Sequence, residues 1–149
     1  MATFKTRATT QFIAIHCAAT KPSMDIDAAW VDRLHRAQGW AGIGYHRFIK
    51  RDGTIQQGRP DDAVGAHVAG YNETAIGICM AGGVAEDGTT PEDNFTSDQF
   101  LSLMVVVKEL AKKYPQAVVQ GHRDFPRVAK ACPSFDVKSW LAIVNWRST

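Results

Sequence analysis

The chain has 149 residues, 45% hydrophobic and 21% charged, a globular composition that excludes a mainly disordered chain and suits a single domain over residues 1–149. Its net charge of +2 falls far short of a nucleic-acid footprint, and no apolar run approaches the ~20 residues of a membrane span. Three cysteines with no CxxC pair argue against a disulfide framework and against a structural zinc knuckle.

The first segment, MATFKTRATTQFIAIH, carries two early basic residues but no apolar stretch leading to a small-residue cleavage site. No signal peptide is read, and the protein is expected to be made in a cytoplasm. Phe12 to Ala18 is a short apolar run rich in branched residues and predicts a buried strand. Lys21-Pro22-Ser23 ends it. A helix starts near Asp25 or Asp27, either of which can cap free amides. Val31, Leu34, His35 and Gln38 share its face, and Gly39 stops it.

Tyr45 to Lys50 reads as a strand. Asp52-Gly53 signals a hairpin, with Thr54 to Gln57 returning antiparallel. Ala75 to Met80 predicts another buried strand, closed by Gly82-Gly83, and Ala85 to Asn94 a polar loop. Thr96-Ser97-Asp98-Gln99 forms a capping box. Behind it Phe100, Leu103, Met104, Val107, Leu110 and Ala111 follow helical spacing. Ala117 to Gln120 is a last strand and Asp136 to Trp146 a closing helix. Alternating strands and helices predict an α/β fold, a central sheet flanked by α-helices. The hairpin makes the sheet mixed.

Histidines and cysteines are the candidates for chemistry. His16 lies inside an apolar strand, where its ring needs partners. A core histidine satisfied by a carbonyl and a metal ligand both fit. Side chains alternate along a strand, so His16 and Cys17 point to opposite faces. Cys17 and Cys79 read as small core residues. His122 follows a strand directly. Pro133 biases Cys132 towards an extended conformation, which projects Lys130 and Cys132 the same way and favours a thiolate. His16, His122 and Cys132 together would offer three ligands and one open position, the pattern of catalytic zinc. Spacing alone is weak support, since nine residues separate His122 from Cys132 and His16 is remote. His46 reads as structural or as a support behind a functional side chain, His35 as core, Trp40 as packing rather than sugar stacking, and Arg47, Lys50 and Arg51 as a solvated strand and turn.

Six ordered segments carry a resemblance: HCAATKPS from His16, QGWAGIGYHRFIKRDGTI from Gln38, AVGAHVAGYNETAIGICMAGG from Ala63, NFTSDQ from Asn94, GHRDF from Gly121 and AKACPSFDVKSW from Ala129. Over about residues 12 to 140 the chain resembles the small zinc amidase lysozymes of T-odd coliphages, within the wider amidase and peptidoglycan-recognition family. The resemblance implies one zinc ion on His16, His122 and Cys132. It further implies active-site roles for Tyr45 and Lys130 and a substrate-binding place for His67 near the cleft. The implied fold is a mixed sheet with helices on its faces.

The implied activity is that of an N-acetylmuramoyl-L-alanine amidase, a phage endolysin that degrades the cell wall and lyses the host. Without an export signal, such an enzyme is expected in the host cytoplasm until a holin releases it to the wall. Peptidoglycan is the expected partner, and a monomer the expected state. Some members also bind a phage RNA polymerase, which makes that enzyme a candidate partner, although MATFKTRATT departs from those members. The stretch RDFPRVA before Lys130 is longer than in the phage members and closer to the wider family. A cytoplasmic muropeptide-recycling amidase and a non-catalytic peptidoglycan-binding protein are the alternatives. Binding-only relatives lose the zinc cysteine, which is present here as Cys132.

Overall fold

The computed structural model describes residues 4–144. Five strands form one sheet: β1 (Phe12–Cys17), β2 (Arg47–Ile49), β3 (Ile55–Gln57), β4 (Ala75–Met80) and β5 (Val118–Gly121). Their order is β3-β2-β4-β1-β5. β1 runs parallel to β4 and β5, and β2 parallel to β4, while β3 is antiparallel to β2. The mixed sheet expected from the Asp52-Gly53 turn is thus present. Gly53 sits at φ 89° and donates its N–H to the Lys50 carbonyl at 2.9 Å. A left-handed residue closing a three-residue hairpin loop is where glycine is favoured.

Helix α1 (Ala28–Ala37) begins at Asp27, whose carboxylate accepts the Trp30 N–H at 2.8 Å. Gly39 lies past its end at φ 91°. Val31 and His35 are buried, whereas Leu34 is exposed. Helix α2 (Ser97–Lys113) opens with both halves of the capping box formed between Thr96 and Gln99. Gln99 is fully buried and also donates to the Ala81 carbonyl at 2.8 Å. The cap therefore also pins the helix to the end of β4. Helix α3 spans Val137–Val144. The expected end of this helix at Trp146 lies outside the described residues.

The two sheet faces differ. On one, Ile13, Ile15, Ile76, Ile78 and Met80 pack against Leu103, Val106, Val107 and Leu110 of α2 and Val137 and Leu141 of α3. Burying each such side chain contributes about 1.5–3 kcal/mol. On the other, Phe48 and Cys79 pack against Val31 and Ile26 beside α1. Near the middle of this second face the residues are small, Ala14 and Gly77. Gly77 leaves room for the ring of His67.

Two expectations are corrected. The segment 45–50 forms a strand only over Arg47–Ile49. His46 still donates its backbone N–H to Gly77 at 2.9 Å, but the carbonyls of Tyr45 and His46 are taken by Arg59 and Gly58. Arg47 is not solvated. It is 8% exposed and pairs with Asp61 and Glu109. Arg51 is half-buried and bonds Gln99.

Candidate metal centre

Strands β1 and β5 run side by side in the same direction, with Ile15 opposite Gly121. The next residue of each chain segment is a histidine, so His16 and His122 meet at the carboxyl end of the sheet, with ring centroids 4.6 Å apart. Carboxyl ends of parallel strands are where α/β folds bind ligands. His122 opens a single 3-10 turn, His122–Asp124. The Asp124 carboxylate accepts the Gly121 N–H at 2.9 Å and closes that turn.

Cys132 is brought in by main-chain bonds. The Arg123 N–H donates to the Cys132 carbonyl at 2.8 Å. The Cys17 N–H donates to the Cys132 sulfur at 3.2 Å. The side chain of Cys17 is buried as expected, but its peptide group faces the centre. Pro133 lies against Gly121, where a Cβ would come within 2.8 Å of Pro133 Cδ. The loop can approach the strand this closely only because Gly121 has no side chain.

One ligand atom from each of His16, His122 and Cys132 lies within 4.8 Å of the others. His16 Nδ1 is 3.9 Å from Cys132 Sγ. Nitrogen and sulfur ligands of one tetrahedral zinc ion stand about 3.6 Å apart, given bonds of about 2.0 and 2.3 Å. The donor set therefore fits a zinc-type cation, which these three residues would hold.

The electrostatics suit metal binding. Burial, then the neighbouring His67, His122 and Lys130, hold the His16 pKa well below its usual value. Burial and then Lys130 lower that of His122. Both rings are thus neutral and carry a lone pair for a cation. The adjacent Cys17 thiol and then burial push the Cys132 thiol up. A dication beside it works in the opposite sense and favours the thiolate.

The centre opens on a cavity of ≈ 1100 Å³ whose wall includes Trp40, Tyr71, His122, Arg127 and Lys130. No carboxylate is among its described lining residues, so the cavity favours an anionic ligand. Tyr45 lies beside His16, with centroids 5.0 Å apart. Burial, aided by the nearby cysteines, raises its phenol well above the usual value, so it stays protonated. Trp40 stacks on His35 at 4.5 Å yet remains 42% exposed. It packs, as expected, and also forms cavity wall.

His67 also lines the cavity, and it bonds His16: His67 Nδ1 is 2.8 Å from His16 Nε2. From the sequence, periodicity could not pair these residues, 51 positions apart. The usable signal was Asn72 in the same segment. Its side-chain oxygen accepts the N–H groups of both His67 and Val68 at 2.8 Å, fixing the loop that carries His67. Arg127, in the long stretch RDFPRVA, carried no sequence signal of its own. It is exposed and sits at φ 66° on the cavity wall.

A family model described as N-acetylmuramoyl-L-alanine amidase matches residues 6–135. The endolysin of Enterobacteria phage K11 is 47% identical over 137 residues, covering 92% of this chain and 88% of the relative. The endolysin of Escherichia phage T7 is 44% identical over 137 residues, covering 92% and 89%. Among solved structures, the N-acetylmuramoyl-L-alanine amidase LysC from Clostridium intestinale URNW is similar with a TM-score of 0.81 at 30% identity, covering 97% of this chain and 91% of that one. Bumblebee PGRP-SA shares the fold, with a TM-score of 0.75 at 19% identity, covering 95% and 87%.

Proposed function

Because the chain belongs to the N-acetylmuramoyl-L-alanine amidase family, we propose that it is a phage-type endolysin using zinc to cut peptidoglycan. The bond hydrolysed joins the lactyl group of muramic acid to L-alanine. The convergence of His16, His122 and Cys132 on one point, beside the cavity that His122 helps to line, is the observation that carries this assignment.

Bound at these three residues, zinc supplies Lewis acidity towards the amide carbonyl and lowers the pKa of water. Water attack builds negative charge on the carbonyl oxygen. Lys130, on the cavity wall beside both histidines, is placed to stabilise that charge. Tyr45, kept protonated next to His16, would orient the attacking water or relay a proton to the leaving nitrogen. The proton that water gives up passes to the departing L-alanine nitrogen as the C–N bond breaks, so that it leaves as an amine and the lactyl carbonyl becomes a carboxylate. The carboxylates of the stem peptide suit a cavity lined by Arg127 and Lys130 with no acidic side chain. We take it to act as a monomer released from the host cytoplasm through a holin; its likeness to phage endolysins supports the cell wall as the place of action.

The test is product analysis. Purified protein with zinc should release stem peptides bearing a new L-alanine amino terminus from sacculi, and chelation or Cys132→Ala should abolish the release. New reducing ends on the glycan with no free L-alanine amine would overturn the assignment.

A further inference from the structure

We propose that His67 is a positioning residue that fixes which nitrogen of His16 is free to bind the metal. This rests on the ligand set proposed above. The hydrogen bonds settle the proton positions one after another. A carbonyl can only accept, so at 3.2 Å from the Ala75 oxygen the Nε2 of His67 must carry hydrogen. A neutral imidazole has one N–H, which leaves His67 Nδ1 as an acceptor. It lies 2.8 Å from His16 Nε2, which must then be the donor. The bare nitrogen of His16 is therefore Nδ1, the atom 3.9 Å from Cys132 Sγ. Reversing the last bond would put the proton of His16 on Nδ1 and block it as a ligand.

The slot for the His67 ring is built tightly. A Cβ at Gly77 would lie 2.7 Å from His67 Nδ1, and one at Gly65 would lie 2.6 Å from His67 Cδ2. Asn72 clamps the backbone of the same residue. The ring fits only because glycine stands at both positions. Both ring nitrogens are engaged within the protein, so although the ring borders the cavity, neither is left to bond a substrate. The side chain thus acts on the metal through His16. Metal-binding histidines usually hand their second N–H to a carbonyl or carboxylate. Here a second histidine is interposed and passes the polarity on to the Ala75 carbonyl.

The test is zinc affinity, measured on the full chain by chelator competition, with zinc itself as the probe. His67→Phe fills the slot but cannot accept a hydrogen bond, and should weaken zinc binding about 10–100-fold. His67→Asn, whose side-chain oxygen can take the place of Nδ1, should recover most of the affinity. Nitrogen-15 spectra of the metal-free wild-type protein should show His16 protonated on Nε2 and His67 also protonated on Nε2. This measurement needs no variant to fold. The opposite tautomer at His16, or wild-type zinc affinity in His67→Phe with a raised KM for peptidoglycan fragments, would overturn the proposal. Neither readout depends on which bond the enzyme cuts. A failure here is therefore distinguishable from failure of the amidase assignment, which product analysis decides.

Discussion

The N–H of Arg123 donates to the carbonyl of Cys132 at 2.8 Å, joining the turn that carries one ligand to the loop that carries another. His122 precedes one end of this bond and Cys132 is the other. The two ligands therefore share one small rigid unit, docked on β5 through Gly121.

That docking predicts a steric effect. Gly121 has φ −77°, which alanine tolerates, so Gly121→Ala tests the contact with Pro133 Cδ rather than the backbone. Overpacking of this kind costs about 1–3 kcal/mol. Urea denaturation should register that loss, and zinc affinity should fall as the Cys132 loop is pushed out. Unchanged affinity and stability would mean the loop is not held where it is described.

Lys130 should matter to the chemical step and little to folding. It is exposed and lies on the cavity wall. Lys130→Ala is expected to lower kcat by about 10²–10³, with the thermal midpoint and zinc affinity close to wild type. A rise in KM at constant kcat would assign it to substrate binding instead.

Acid should destabilise the fold through His46. Its Nδ1 accepts the Gly77 N–H at 3.0 Å and its Nε2 contacts the Ala63 carbonyl at 2.8 Å, so an extra proton would break the first bond. Burial holds its pKa down to about 4. In the unfolded chain the ring takes up a proton below about 6.5, so the unfolded state binds more protons between these values. Stability contributed by neutral His46 is complete above pH ~6.5 and is lost as the pH falls towards 4, by up to about 3 kcal/mol. Urea melts of the metal-free protein across this range, with ring titration followed by NMR, would check it. Flat stability would show that His46 is not held neutral.

Arg127 should contribute to substrate affinity. It brings a guanidinium to a cavity wall that has no acid. Arg127→Ala is expected to raise KM for stem-peptide substrates several-fold at unchanged kcat, and less so where the peptide carboxylates are amidated. Equal effects on charged and amidated substrates would remove carboxylate recognition from its role.

Much of the fold was legible because its causes are local. The FIAIHC run, the Thr96–Gln99 box, the Asp27 cap and the Gly53 turn each act over a few residues, and each formed. Arg47 was misread for the opposite reason. Its partners Asp61 and Glu109 lie 14 and 62 positions away, and strand alternation says nothing about ion pairs of that range.

The sequence by itself determined that a mixed α/β sheet would form and which residue types were available for metal chemistry, because periodicity, caps and turns are short-range properties of the chain. Only the tertiary structure decided which of those residues meet. The parallel register of β1 and β5 sets His16 beside His122, a missing side chain at Gly121 lets Cys132 approach, and another at Gly77 on β4 leaves space for the His67 ring behind the centre. Each of these is a matter of steric fit between segments distant in the chain, and pattern along the chain carries no record of it.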